Sequence, residues 1–156
     1  VADTWELAYY KSQEAANQQL PSSGTVLLTV ADPDKHRVVE LARQFAGLGF
    51  AIKATGGTCR LLDAHGIAAT PILKMHEGRP NIVDGIMNRE IDLVINTPAG
   101  RTSVIDDSYI RKAAIRYKVP YITTMPAARA AAKGIAASRQ GRGAVKSLQS
   151  YHASLD

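Results

Sequence analysis

The sequence predicts an α/β fold, a five-stranded parallel sheet with helices covering both faces. Two observations carry this expectation. Short apolar runs rich in β-branched residues alternate, across compact connections, with stretches whose apolar residues recur at helical spacing. Among the runs, "TVLLTVA" is a short apolar stretch that reads as a buried strand and "IDLVINT" is the most hydrophobic, as strands of a sheet covered on both faces are expected to be.

The elements follow in order. A helix is expected from Thr4 to about Gln18, then a Pro21-Ser22-Ser23-Gly24 break and the strand "TVLLTVA". Asp32-Pro33-Asp34 supplies a turn and cap for "KHRVVELARQFAGLGF", where Val38, Val39, Leu41, Ala42, Phe45 and Leu48 share a helical face and Gly49 ends the run. The unit recurs as strand "FAIKA", turn "TGGT", helix "CRLLDAHG" and strand "TPILKM". The loop "HEGRP", with Pro80 opening the helix "NIVDGIMNRE", leads to "IDLVINT", the most hydrophobic strand. "DDSYIRKAAIRYK" is a capped amphipathic helix, "PYITT" the last strand and "MPAARAAAKGIAAS" an alanine-rich helix. The tail "RQGRGAVKSLQSYHASLD" is expected to open as a mobile loop and close as a short helix.

A chain of 156 residues can bury one core without staples. The lone Cys59 forms no internal bridge, suits a reducing, cytoplasmic setting and is expected to be a small buried filler. No stretch approaches the roughly 18 apolar residues of a membrane span. The net charge of +5 invites a nucleic-acid partner, but the basic residues are scattered, with local pockets such as Arg139 and Arg142, and few aromatics are present to stack bases. A phosphorylated small molecule accounts for the same excess more economically. The opening "VADTWELAYYKSQEAANQQLPSSG" resembles a connector, with Trp5, Tyr9 and Tyr10 expected to bury against a neighbour.

Parallel sheets bind ligands outside the carboxyl ends of their strands. The residues there are Thr29 and Lys35 after the first strand; Thr55, Gly56, Gly57 and Thr58 after the second; Lys74 near the third; Asn96, Thr97 and Gly100 after the fourth; Thr123 and Thr124 after the fifth. Two glycines let the backbone approach an anion, and the helix start behind them offers free N–H groups and a positive dipole end. Together they suggest a phosphate cradle that is neither a P-loop nor a dinucleotide turn. The competing reading is a plain strand-to-helix turn with Thr55 as N-cap. Titratable groups are scarce: Asp32 and Asp34 fit turn and cap roles, and His76 is expected to fix its loop. His36 and His65 are expected to be exposed or capping, and Arg79 either to reach a ligand or to pair with Glu77 or Asp84. No histidine pair has metal-ligand spacing.

"KHRVVELARQFAGLGFAIKATGGT", "HEGRPNIVDGI", "LVINTPAGR" and "IRKAAIRYKVPYITT", in that order and at compatible spacing, resemble the C-terminal allosteric domain of the carbamoyl-phosphate synthase large subunit, a member of the methylglyoxal-synthase-like group. The resemblance implies a Rossmann-like three-layer domain without chemistry of its own. It implies that residues 1–24 are a helix and connector from a preceding synthetase domain and that 25–156 are the allosteric domain. In this family one pocket takes UMP and IMP, and ornithine acts at the junction with the synthetase domain. The phosphate would then meet Lys35, Thr55, Gly57, Thr58 and Lys74; Thr29, Met75, Ile82, Asn96 and Thr97 would form the base, ribose and pocket wall; Tyr121 and Thr123 would form an ornithine edge.

Also implied are a glutaminase small subunit as partner, and ATP, magnesium and potassium ions for the full-length enzyme, with no cofactor in this domain. The full enzyme makes carbamoyl phosphate for arginine and pyrimidine synthesis; oligomerisation is left open. Two positions depart from the enteric pattern. Pro98 replaces a second threonine, removing a hydroxyl and a backbone donor, and Ile122 replaces a polar residue. The related methylglyoxal synthase uses an aspartate in a "GGDQQ" loop, whereas "EGRPN" here has no carboxylate at that place. An allosteric binding module is thus the leading expectation. A phosphate-eliminating lyase and a purely assembling domain are the rivals.

Overall fold

The computed structural model describes residues 20–98 and 104–140, with side chains described over 106–139 in the second stretch. The expected N-terminal helix with Trp5, Tyr9 and Tyr10, Gly100, and the tail beyond Gln140 with Arg142 lie outside the described residues.

The elements are β1 (Thr25–Thr29), α1 (Lys35–Gly47), β2 (Ala51–Ala54), α2 (Gly56–Ala64), β3 (Thr70–Pro71), α3 (Ile82–Met87), β4 (Leu93–Asn96), α4 (Val104–Arg116), β5 (Tyr121–Ile122) and α5 (Met125–Gln140). The sheet is parallel in the order β3-β2-β1-β4-β5. Its chain connections reverse direction between β1 and β4, so those two strand ends flank the crevice of a doubly wound sheet.

Side-chain alternation sends Val26, Leu28, Leu93 and Ile95 to one face, where Val38, Leu41 and Phe45 of α1, Leu62 of α2 and Ala128 and Ile135 of α5 cover them. Leu27 and Val94 point the other way, onto Ile82 and Ile86 of α3 and Ile110 of α4. This is the three-layer arrangement expected. Phe45 of α1 meets Phe50 edge to face at 5.4 Å, the chain turning back after the helix at Gly49, whose φ of +86° a side chain would strain. Arg139 stacks over the Phe50 ring and donates to the carbonyls of Leu48 and Ser22, so this cation of the suspected basic pocket is a packing clamp.

Four elements differ from expectation. "TPILKM" pairs only through Thr70 and Pro71, after which Leu73 bridges to Asn81 and accepts from Ile82 N; Pro71 lacks a donor and is tolerated at this sheet edge. "PYITT" shortens to Tyr121–Ile122 because Thr124 caps α5, its Oγ1 accepting from Ala127 N at 3.3 Å. Pro80 does not open α3: Asn81 is the N-cap, its Oδ1 accepting from Val83 N at 3.0 Å while Asp84 Oδ2 accepts from Asn81 N at 2.9 Å. Asp32 and Asp34 form a 3-10 turn, and neither caps α1 through its side chain.

Candidate functional site

The carboxyl edge of the sheet carries a polar seam. Thr29 and Asn96 are register partners at the ends of β1 and β4, and both are buried. Thr55 Oγ1 donates to Thr29 Oγ1 at 3.1 Å, and Thr97 Oγ1 accepts from Ala31 N at 2.8 Å. Asn96 Nδ2 donates both to Asp107 Oδ1 and to the Tyr121 hydroxyl, each at 2.9 Å. Side chains from the ends of β2, β1, β4 and β5 thus form a fixed floor. A buried polar group without a partner would cost about 1–3 kcal/mol, so these bonds explain why threonine and asparagine are accommodated there.

The double glycine lies at the edge of this floor. Both glycines belong to the first turn of α2 rather than to a free loop, and Thr55 is the N-cap by position but makes no side-chain cap. Its hydroxyl is committed to Thr29, which leaves the amides of Gly56, Gly57 and Thr58 without an acceptor among the described residues. Thr58 is 1 % exposed, and its hydroxyl also lacks a partner among the described residues. Three free amides and a positive dipole end are the groups with which a helix start can hold an anion.

Two cations lie over it. A Cβ on Gly57 would come within 3.0 Å of Lys35 Nζ, so the missing side chain is what lets the ammonium sit against the turn. A Cβ on Gly56 would lie 3.4 Å from an Arg60 guanidinium nitrogen, and one on Gly57 4.0 Å from the other. Arg60 was not among the expected residues. Its signal was its place four residues after Gly56 on one helix face, since helical side chains lean toward the N-terminus. Lys35 is held by Asp32 at 2.5 Å, and that contact, reinforced by the charge of Lys74, keeps the Asp32 carboxyl below its usual range. Asp32 therefore belongs to the site rather than to a cap.

The remaining expected residues divide. Lys74 precedes the 3-10 turn Met75–Glu77, its N–H donating to Glu77 Oε1 at 2.8 Å, and Met75 is half-buried in that turn. Ile82 is 0 % exposed and packs in the core with Leu27 and Ile86, so it cannot face a base or ribose in this arrangement. The resemblance assigned it a pocket role, but the first turn of α3 aims it at the sheet. Tyr121 is half-buried, and burial raises its phenol above the ordinary range against the opposing bond from Asn96; Thr123 is exposed.

The loop residues are engaged elsewhere. Arg79 Nη2 pairs with Asp84 Oδ1 at 2.6 Å, settling its two readings in favour of the ion pair, and His76 Nδ1 contacts Asp106 Oδ2 at 2.7 Å. Cys59 is buried beside Ala69 O, and burial raises its thiol, as suits a filler. His36 and His65 are exposed; Nδ1 of His65 donates to Leu61 O at 3.0 Å. A shallow depression lined by Arg43, Phe50, His65, Ile67 and Thr70 lies at the opposite edge, where β2 and β3 begin, away from the strand ends. Among the described residues, no group of three or more His, Cys, Asp and Glu side chains is placed to hold a metal, and no helix is long and apolar enough to cross a membrane.

Known proteins resemble this chain in sequence and in fold. The chain is 50% identical over 153 residues, 98% of its length, to the carbamoyl phosphate synthase large chain of Acidobacterium capsulatum, of which it spans 14%. It is 47% identical over 151 residues, 94% of its length, to the carbamoyl phosphate synthase large chain, C-terminal section, of Aquifex aeolicus, of which it spans 28%. Methylglyoxal synthase from Elizabethkingia anophelis shares the fold, with a TM-score of 0.58 and 22% identity over 70% of this chain and 77% of that one. Residues 37–123, from within α1 through β5, match the model of the MGS-like domain family, and the chain belongs to that family.

Proposed function

We propose that this chain is the regulatory domain of a glutamine-dependent carbamoyl-phosphate synthase large subunit and binds a nucleoside monophosphate of the UMP or IMP type. The observation that carries the reading is the convergence of Lys35 and Arg60 on the three unpaired amides of Gly56, Gly57 and Thr58. A phosphate monoester supplies the acceptors and negative charge that this arrangement lacks. Thr29, Thr55, Asn96 and Thr97 form the floor beneath the sugar, and Lys74 and Met75 the adjoining wall.

In the parent enzyme the effector acts by binding two arrangements of the protein unequally, and the ratio of those affinities sets the size of the response. Tyr121 and Thr123 form the edge that takes ornithine against the preceding synthetase domain. That domain and the glutaminase small subunit are the partners, and ATP, magnesium and potassium ions belong to the parts of the enzyme outside this chain. The setting is cytoplasmic, and the product feeds arginine and pyrimidine synthesis. The engaged carboxylates around "EGRPN" favour binding over the lyase alternative: Glu77 accepts from Lys74 N, and Asp84 is held by Arg79 and Asn81.

Calorimetric titration with UMP, IMP and ornithine tests the reading, together with incubation of the chain with dihydroxyacetone phosphate. Saturable nucleotide binding with no phosphate release is expected. Phosphate release at an enzymatic rate overturns it.

A further inference from the structure

We propose that Arg60 is a phosphate-contacting residue of the cradle and biases it toward the dianion of a phosphate monoester. The inference rests on the binding reading above and deepens it. Among the cations near the strand ends, Lys35 is paired with Asp32, Lys53 with Glu90 and Arg79 with Asp84. Arg60 is exposed and forms no ion pair with a described residue. Its guanidinium nevertheless lies back along its own helix, with one nitrogen 3.4 Å from the Cβ position of Gly56 and the other 4.0 Å from that of Gly57.

That placement sets a planar fork beside the amides of Gly56, Gly57 and Thr58, on the same glycine that Lys35 Nζ approaches. A second, independent observation marks the same point. Thr58 is 1 % exposed, yet its hydroxyl bonds to no described residue, although the Thr29, Thr55 and Thr97 hydroxyls are all engaged. Gln44 Oε1 is the one buried side-chain atom sealed from solvent without a partner among the described residues, so the Thr58 hydroxyl, unpartnered as well, is not fully sealed from solvent. An oxyanion held there meets a hydroxyl, amides, an ammonium and a bidentate guanidinium. Arginine matches two oxygens of one phosphate, and lysine does so only as a point charge. Because the Lys35 charge is offset by Asp32, the cations near the cradle that form no ion pair with a described residue are Arg60 and Lys74, and of the two it is Arg60 that lies against Gly56 and Gly57 at the dipole end of α2.

The test is titration of the wild-type chain, Arg60→Ala and Arg60→Lys with UMP, IMP, uridine and inorganic phosphate at two salt concentrations, with melting temperature as a control for folding. Arg60→Ala is expected to weaken UMP and phosphate about tenfold or more and to reduce the salt dependence of binding, while Arg60→Lys restores part of the loss. Equal UMP affinity and salt dependence in Arg60→Ala and the wild type would overturn the role of Arg60 and leave the site standing. A wild-type chain that binds none of UMP, IMP and phosphate would overturn both.

Discussion

Asn96 Nδ2 donates to the Tyr121 hydroxyl at 2.9 Å, joining the floor of the proposed nucleotide pocket at the end of β4 to the edge proposed for ornithine on β5. One asparagine side chain therefore touches both proposed regions, and a second bond to Asp107 Oδ1 holds its orientation. Tyr121→Phe removes the hydroxyl and keeps the ring. A loss of about 1 kcal/mol in stability is expected, as for a typical intramolecular hydrogen bond. In the parent enzyme, the variant should also weaken the mutual effect of nucleotide and ornithine, measured by titrating each in the presence of the other. Undiminished coupling would mean the two regions communicate by another route.

In the proposed site Asp32 would compete with the phosphate for Lys35. Replacing it by asparagine frees the ammonium, so Asp32→Asn is expected to bind UMP several-fold more tightly than the wild type in calorimetry. The 2.5 Å contact is solvent-exposed, so the gain is modest. Weaker binding would show that Asp32 supports the cradle rather than opposing the phosphate.

Asn81 closes the first turn of α3 by accepting from Val83 N, and its own N–H is held by Asp84 Oδ2. Asn81→Ala is expected to cost about 1–2 kcal/mol in urea unfolding, because the cap is buried and water replaces it poorly. Asn81→Asp keeps the acceptor but loses the bond that Asn81 Nδ2 donates to Gly78 O at 3.0 Å, and should recover only part of that loss. An unchanged midpoint in Asn81→Ala would remove the cap from the account.

Asp84 sets a pH dependence. The hydrogen bond from Arg79, followed by that from Asn81 N, holds its carboxyl below the ordinary carboxylate range. A lowered folded-state value contributes stability that is complete above the unfolded value, near 3.9, and is lost as pH falls through the folded value. Melting temperature should therefore decline below about pH 4, and the decline should be shallower in Asp84→Asn. Identical slopes in the two proteins would contradict this.

The fold was legible because its signals are local: "TVLLTVA" and "IDLVINT" can be buried only as central strands, and the residues of α1 repeat at helical spacing. The edge strands were less so. "TPILKM" has the composition of a long strand, but its course is set by the pairing of Leu73 with Asn81, a tertiary contact. In the site, Lys35, Thr55, Gly57 and Thr58 were chosen because strand ends and glycine pairs are positional signals. Ile82 was misplaced because the direction of a side chain depends on how α3 docks. Arg60 and Asp32 were missed because exposed charges near a helix start look like surface charges until their distances to Gly57 and Lys35 are known.

The central claim is that the turn at Gly56-Gly57-Thr58, with Lys35 above it, binds a nucleotide phosphate. The direct measurement is calorimetric titration of the wild type and of Lys35→Ala and Thr58→Ala with UMP and IMP. The account predicts one saturable site in the wild type, weakened by about 1–3 kcal/mol in each variant while the melting temperature of Lys35→Ala is retained. Wild-type affinity in both variants, or no binding to any of the three proteins, would contradict it.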